Sequence, residues 1–258
     1  MKKSVVQEKS RGVLLFAFNT NQTDYVKIAE RASRLISHTL ELPVTIISDR
    51  DITNSLINSK PGKGTAWRNG DRYRAYELSP YDETLLLDSD YLMLDNNLLK
   101  LFEQSYDYRI MTHNQSQTGA WSEQMGAYSF PYQWATAILF KKTNKSKMLF
   151  DLVGRIQRNY NYYCHLYQIS QSNFRNDYAF TIADNLLNGY NQTLDQGIPW
   201  PMLTFNEVVE SLTLKNNMIV IKEKNRAYLI PRQNIHIMDK DYLLSDNFEN
   251  FVNSICVN

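Results

Sequence analysis

The chain has two cysteines, Cys164 and Cys256, far apart and without metal-ligand spacing. That pattern removes a disulfide framework and a thiolate metal centre from consideration and suits a reducing compartment. Long apolar runs are missing too. No stretch approaches the ~20 apolar residues of a membrane-spanning helix, and "MKKSVVQEKSRG" at the N-terminus has two lysines but no apolar core of signal length. The expectation is a soluble protein of the cytoplasm with no membrane span. Charge of one sign is also scarce: the formal net charge is +1, which argues against a chain built to coat nucleic acid, a local basic patch aside. Glycine is absent from "FAFNTNQTDY", just after the first apolar run, so the glycine-rich phosphate loop expected of a nucleotidyltransferase has no counterpart there.

What is present describes a folded domain. Hydrophobic residues make up 43% and charged residues 21% of 258 positions, enough for one large α/β domain or two small ones. The 17 tyrosines stand against four tryptophans and 11 phenylalanines. Compositional bias of an AT-rich genome explains such an excess, and so does a stacking surface for sugars or bases. "RNYNYYCHLY" (158–167) fits either.

The first half alternates two periods. "GVLLFAF" (12–18), "VTIISD" (44–49) and "TLLLDSDYLML" (84–94) read as buried strands. Between the first two, Tyr25, Ile28, Ala29, Ala32, Leu35 and Ile36 recur at helical spacing, with Thr23 as the expected N-cap and Pro43 beyond the end. A helix is expected around 71–78 and a capped one from Asp95. Later, "QWATAILFKK" (133–142) reads as a strand, 145–160 as an amphipathic helix, and 174–190 as a helix closed by Gly189. Residues 216–231 alternate like a hairpin. Repeated strand–helix–strand units predict an α/β fold with a mainly parallel sheet flanked by helices and a smaller C-terminal elaboration. The expected organisation is one domain over 1–258, divided into halves at 1–115 and 116–258. Ligands of such sheets bind beyond the carboxyl ends of the strands, where Asn19-Thr20, Ser48-Asp49 and Asp88-Ser89-Asp90 fall.

The stretch "DETLLLDSDYLMLDNN" (82–97) places two carboxylates at the tip of the most apolar strand. Residues two apart in an extended segment face one way, so Asp88 and Asp90 address one point and repel unless a cation lies between them. Oxygen ligands favour a hard ion such as Mg2+ or Mn2+, which keeps coordination sites for phosphates. The alternative is structural: Asp88 caps a turn while Asp90 pairs with an arginine.

Four segments then form a pattern: "GVLLFAFNT", "WRNGDRYRAYELSPYDETLLLDSDYLML", "WATAILFKKTNKSKMLFD" and "FRNDYAFTIADNLLNG", in that order over residues 12–190. This pattern resembles GT-A-fold (Rossmann-like) glycosyltransferases of the family 8 type, the group of glycogenin and the lipopolysaccharide galactosyltransferases. It is also similar to small glycosyltransferases of tailed bacteriophages. Ala135-Thr136-Ala137 stands where that family carries Asn-Ala-Gly.

The resemblance implies a metal-dependent glycosyltransferase that takes a sugar from a nucleotide-diphosphate donor, UDP-linked above all, to an acceptor hydroxyl. Residues 1–115 become the nucleotide-sugar half and 116–258 the acceptor half. Mn2+ or Mg2+ is implied between Asp88, Asp90 and the diphosphate. "IHIMDK" offers His236 as third ligand and Lys240 for the diphosphate, though the family spacing is usually longer and contains glycine. Asp177 of "FRNDYAF" falls beside the anomeric carbon, as base or as transition-state stabiliser, with Asn176 and Asp184 as lesser candidates; Asp90 shares the catalytic assignment. Phe18, Asn19 and Thr20 lie toward the base, Asp49 toward the ribose or base, and Ser89, with Arg72 or Arg74, toward the phosphates. Trp67, Trp121 and Trp134 are candidates for a sugar floor. Each also has a plain reading as cap, helix-surface charge or core residue. The phage likeness implies a hydroxymethylated pyrimidine in DNA as acceptor, in the host cytoplasm, with 158–175 stacking bases; lipopolysaccharide and protein acceptors stay open. A nucleotidyltransferase and a non-catalytic nucleotide- or carbohydrate-binding module are the other classes.

Overall fold

Leu85, Leu86 and Leu87 have no exposed surface, and the strand they belong to is the middle of the main sheet. The computed structural model describes residues 10–53, 56–59, 66–116, 119–120, 124–125, 130–170, 173–191 and 197–256. Strands β1 (Arg11–Ala17), β2 (Val44–Ser48) and β3 (Glu83–Leu87) run parallel, with β1 in the centre of the three. Helix α1 (Tyr25–Leu40) links the first two. Its N-cap is Asp24 rather than Thr23: the Lys27 N–H donates to the Asp24 carboxylate. Thr23 instead closes the preceding loop, its own N–H donating to Thr20 Oγ1 and its carbonyl accepting from Thr20 N–H.

The segment read as one strand over 84–94 is two. After Leu87 the chain turns at Asp88–Asp90, with the Tyr91 N–H returning to the Asp88 carbonyl. Strand β4 (Tyr91–Leu92) then joins a different sheet. The two carboxylates reach one point through a turn, not through strand alternation. Beyond β5 (Tyr108–Met111) and β6 (Asn114–Ser116), strand β7 (Trp134–Lys141) enters the main sheet antiparallel to both β3 and β5. The sheet order is β2-β1-β3-β7-β5, a mixed sheet whose parallel part is the one legible in sequence.

The second sheet is assembled from short, distant strands: the two-residue Gly119–Ala120, β4, β6, β8 (Met202–Phe205) and β12 (Ile235–Ile237). Between the last two, β9 (Val209–Lys215), β10 (Met218–Glu223) and β11 (Arg226–Pro231) form an antiparallel meander that contains the expected hairpin. Helix α1 serves both cores. Ala29, Ala32 and Ile36 pack against the main sheet, whereas Ile28 and Leu35 pack with Leu92, Phe205 and Ile237.

Helices α2 (Asn144–Arg158), α3 (Tyr160–Leu166) and α4 (Asn176–Leu187) follow β7. The last ends as predicted: Gly189 takes a left-handed φ of 61°, and Tyr190 N–H reaches back to the Asn185 carbonyl. The helices expected near 71–78 and from Asp95 are shorter than their patterns, one a 3-10 turn (Arg72–Arg74) running into Ala75–Leu78, the other only Leu99–Phe102. The C-terminal helices are α5 (Lys240–Leu244) and α6 (Asp246–Cys256). Among the described residues no helix is long and apolar enough to cross a membrane.

One packing detail bears on the site. Gly154 of α2 lets the Tyr73 ring lie against the helix; a Cβ there would stand 2.7 Å from Tyr73 Cδ2. A Gly154→Ala variant is expected to lose about 1–3 kcal/mol of unfolding free energy by overpacking, read from urea midpoints, because Tyr73 sits in the turn that carries Arg72. A midpoint equal to that of the parent would remove Tyr73 from the supports of that turn.

Candidate functional site

Beyond the carboxyl ends of β1 and β3 opens a cavity of about 730 Å³, walled by the main sheet on one side and by the second sheet on the other. Its floor is the Asp88–Asp90 turn. Arg72 is buried behind it, donating from Nη1 to Asp88 Oδ1 at 2.5 Å and from Nη2 to the Ala135 carbonyl at 2.5 Å. It ties the tip of β3 to β7. On the other side Lys240 Nζ donates to Asp90 Oδ2, and His236 Nε2 lies 3.3 Å from Asp90 Oδ1. Ligating atoms of Asp88, Asp90 and His236 all lie within 4.8 Å of one another.

The two carboxylates are held differently. Burial pushes Asp88 up from the ordinary carboxylate range; Arg72 opposes this and the neighbouring Asp90 charge adds to it. Burial acts on Asp90 as well, but Lys240 and His236 outweigh it and hold that group well below the usual range. Burial followed by the charges of Asp90 and Asp88 also drives the Tyr25 hydroxyl upward. Two oxygens and an imidazole nitrogen, with part of the Asp88 side chain open to the cavity, suit a hard or borderline divalent ion. The donor set fits a divalent cation.

Phe18, Trp67, Arg72, Asp88, Ser89, Asp90, Asp177, His236 and Lys240 all line this cavity, as does Trp134. Asn19, Thr20 and Asp49 do not; they build its border. Asn19 Oδ1 accepts from Val26 N–H, Thr20 Oγ1 accepts from the Gln22 and Thr23 N–H groups, and Asp49 takes the Asn19 N–H and Arg68. Arg74 turns away to Asp71 at 3.7 Å. Asp184 is consumed structurally by Tyr108 Oη, Gln133 Nε2 and Asn188 Nδ2. Trp121 lies outside the described residues.

Asp177 sits on the wall with both oxygens engaged. The Ala135 N–H donates to Oδ1 at 2.9 Å, and Arg175 donates to Oδ2 from Nη2 at 2.9 Å and Nε at 3.3 Å. Beside it, Asn176 Nδ2 donates to the Asn69 carbonyl at 3.0 Å and to Asn69 Oδ1 at 2.5 Å. Two acceptors fix which end of the amide is nitrogen, so Asn176 Oδ1 is left buried and without a hydrogen-bond partner. Asn176 as a residue borders the cavity, but this oxygen is buried beneath the cavity surface.

In the segment expected to stack bases, Tyr160, Tyr167, Ile169 and Phe174 belong to the core, whereas Arg158, Asn161, Tyr162 and His165 are exposed. Tyr160 packs edge-on against Phe174. Residues 171–172 lie outside the described residues, and Arg175 lines the cavity. Sequence reasoning missed Arg68, Asn114 and Thr204, all cavity residues. They sit on short strands or beside them, where no periodic signal marks them.

No family model and no curated protein matches the sequence. Among solved structures, the chain is similar to the galactosyltransferase LgtC in complex with donor and acceptor sugar analogues. That likeness is 13% identical over 94% of this chain and 95% of that one, with a TM-score of 0.48. It is also similar to the apo form of the glycosyltransferase GlyE of Streptococcus pneumoniae TIGR4, 16% identical over 73% of this chain and 44% of that one, with a TM-score of 0.34. A third likeness is to the apo bifunctional glycosyltransferase WbbM, at 12% identity over 58% of this chain and 35% of that one, with a TM-score of 0.33. The chain spans less than half the length of the apo GlyE and WbbM chains and 63% of a second GlyE chain.

Proposed function

We propose that the protein is a glycosyltransferase that moves a sugar from a UDP-linked or related nucleotide-diphosphate donor to an acceptor hydroxyl, with Mn2+ or Mg2+ held by Asp88, Asp90 and His236. The observation that carries this reading is the convergence of two carboxylates, an imidazole, an ammonium and a guanidinium at the floor of one cavity. Such a cavity volume falls in the range of small-ligand sites, roughly 300–1,000 Å³. A bound divalent ion supplies charge to the leaving diphosphate.

The remaining work belongs to the chain. Lys240 and Arg72 bring two further positive charges to the same floor, matched to a diphosphate. Phe16, Phe18 and Tyr25 give an apolar wall on the β1 side, suited to a base or ribose. Asp177, with both oxygens bonded, holds Arg175 against the wall.

The test is a mass-spectrometric screen of nucleotide sugars for slow hydrolysis with Mn2+ and with EDTA, followed by an acceptor screen that includes DNA with hydroxymethylated pyrimidines. Release of free sugar and nucleoside diphosphate, with Mn2+ only, is the expected result. Pyrophosphate production from a sugar phosphate and a nucleoside triphosphate would replace this reading with nucleotidyl transfer. Binding without any turnover would make the protein a binding module.

A further inference from the structure

Behind the cation group runs a buried polar chain. Thr204 of β8 and His236 of β12 are register partners on adjacent parallel strands, and Asn114 belongs to β6 on the other side of β8. Thr204 is 1% exposed, Asn114 3% and His236 8%, so water plays little part in satisfying them. The Thr204 hydroxyl donates to Asn114 Oδ1 at 2.8 Å. His236 Nδ1 stands 3.4 Å from the same Thr204 oxygen.

A hydroxyl has one proton to give. With the Asn114 amide turned so that Oδ1 accepts and Nδ2 stays buried and unpartnered, Thr204 gives it to Asn114, faces His236 with lone pairs only, and in a neutral ring the proton between them sits on Nδ1. A neutral imidazole carries one ring proton, which leaves Nε2 bare. That bare nitrogen is 3.3 Å from Asp90 Oδ1. Two acceptors face each other there, an arrangement that calls for a cation between or beside them.

We infer that Thr204 and Asn114 are positioning residues that fix the His236 tautomer with Nε2 unprotonated, and thereby set the affinity of the Asp88–Asp90–His236 group for a divalent ion. This rests on the metal reading given above. Without the Thr204 hydroxyl the ring proton moves to Nε2, where it donates to Asp90, and an incoming ion has to displace that bond. Groups that orient a ligating histidine typically account for about 10–100-fold in metal affinity.

The experiment has two arms on the full chain. Mn2+ is titrated into the parent, Thr204→Val, Thr204→Ser and Asn114→Leu, with free ion read by electron paramagnetic resonance. Separately, long-range 1H–15N spectra of the ion-free protein, above the ring's protonation range, report which nitrogen of His236 carries hydrogen. The expected parent ring is Nδ1–H. Thr204→Val should become Nε2–H and bind Mn2+ about 10–100-fold more weakly. Thr204→Ser should match the parent. Asn114→Leu should follow Thr204→Val, because the released hydroxyl then turns its proton to Nδ1. An Nε2–H ring in the parent overturns the inference, and needs no variant to fold. So does a folded Thr204→Val with parental Mn2+ affinity. A parent that binds no Mn2+ but shows Nδ1–H would sink the metal reading and with it the affinity claim, while leaving the tautomer assignment standing.

Discussion

An Asp90→Asn variant is expected to lose Mn2+ binding and to turn over its donor more slowly by about 10³-fold, while remaining folded. Asp90 is the hub of the floor: it takes Lys240 on one oxygen and faces His236 with the other. Metal stabilisation of a leaving group is worth several kcal/mol, and each 1.36 kcal/mol is about tenfold in rate. Some stability is lost, because Lys240 and His236 hold the Asp90 carboxylate below its ordinary range and its charge therefore stabilises the fold above that range. Two changes nonetheless oppose. Asn strands part of the Lys240 charge, yet it also relieves Asp88, whose proton affinity the Asp90 charge raises. Circular dichroism checks the fold, and donor hydrolysis with and without EDTA checks the chemistry. Parental turnover in Asp90→Asn, or in the parent under EDTA, would refute the role of the turn.

The floor was legible because its signal is local. Three fully buried leucines followed by Asp-Ser-Asp force the carboxylates to the tip of a strand, whatever the rest of the chain does. The geometry behind that expectation was nonetheless different. Strand alternation was expected to aim both carboxylates; a turn does so, and it also sends Tyr91–Leu92 into another sheet. The antiparallel entry of β7 left no mark, since a buried strand reads the same in either direction.

The opposite wall was hardly legible at all. Asn114, Thr204 and His236 come from strands of three or four residues, too short for a period to emerge. His236 stood out only as a histidine near a lysine. The Asn176 acceptor depends on Asn69, 107 positions away in sequence, and no local rule predicts which end of an amide stays unpaired. The border residues Asn19, Thr20 and Asp49 illustrate the converse. Strand-end placement was right for them, but short polar side chains at a strand end can be used up by the loop's own N–H groups.

Asp177→Asn is where a catalytic base and a positioning carboxylate part company. The carboxylate bridges β7, through the Ala135 N–H, to the Arg175 guanidinium. Burial works against the Arg175 charge, and the Asp177 carboxylate more than restores it. The amide keeps an acceptor for Ala135 but sets an NH2 against the guanidinium, so Arg175 loses its anchor. Hydrogen bonds to charged groups contribute about 1.5–3 kcal/mol, and a loss in that range is expected in the unfolding free energy. Turnover should fall by about 10²-fold through displacement of the cavity wall. Arg175→Gln should show a similar kinetic loss, and the double variant should be little worse than either single one, because both remove one interaction. A base would behave otherwise. Asp177→Asn would then exceed Arg175→Gln by far, the two losses would add, stability would hold, and one limb of the pH–rate profile would disappear. Melting curves and pH–rate profiles for the three variants decide between them.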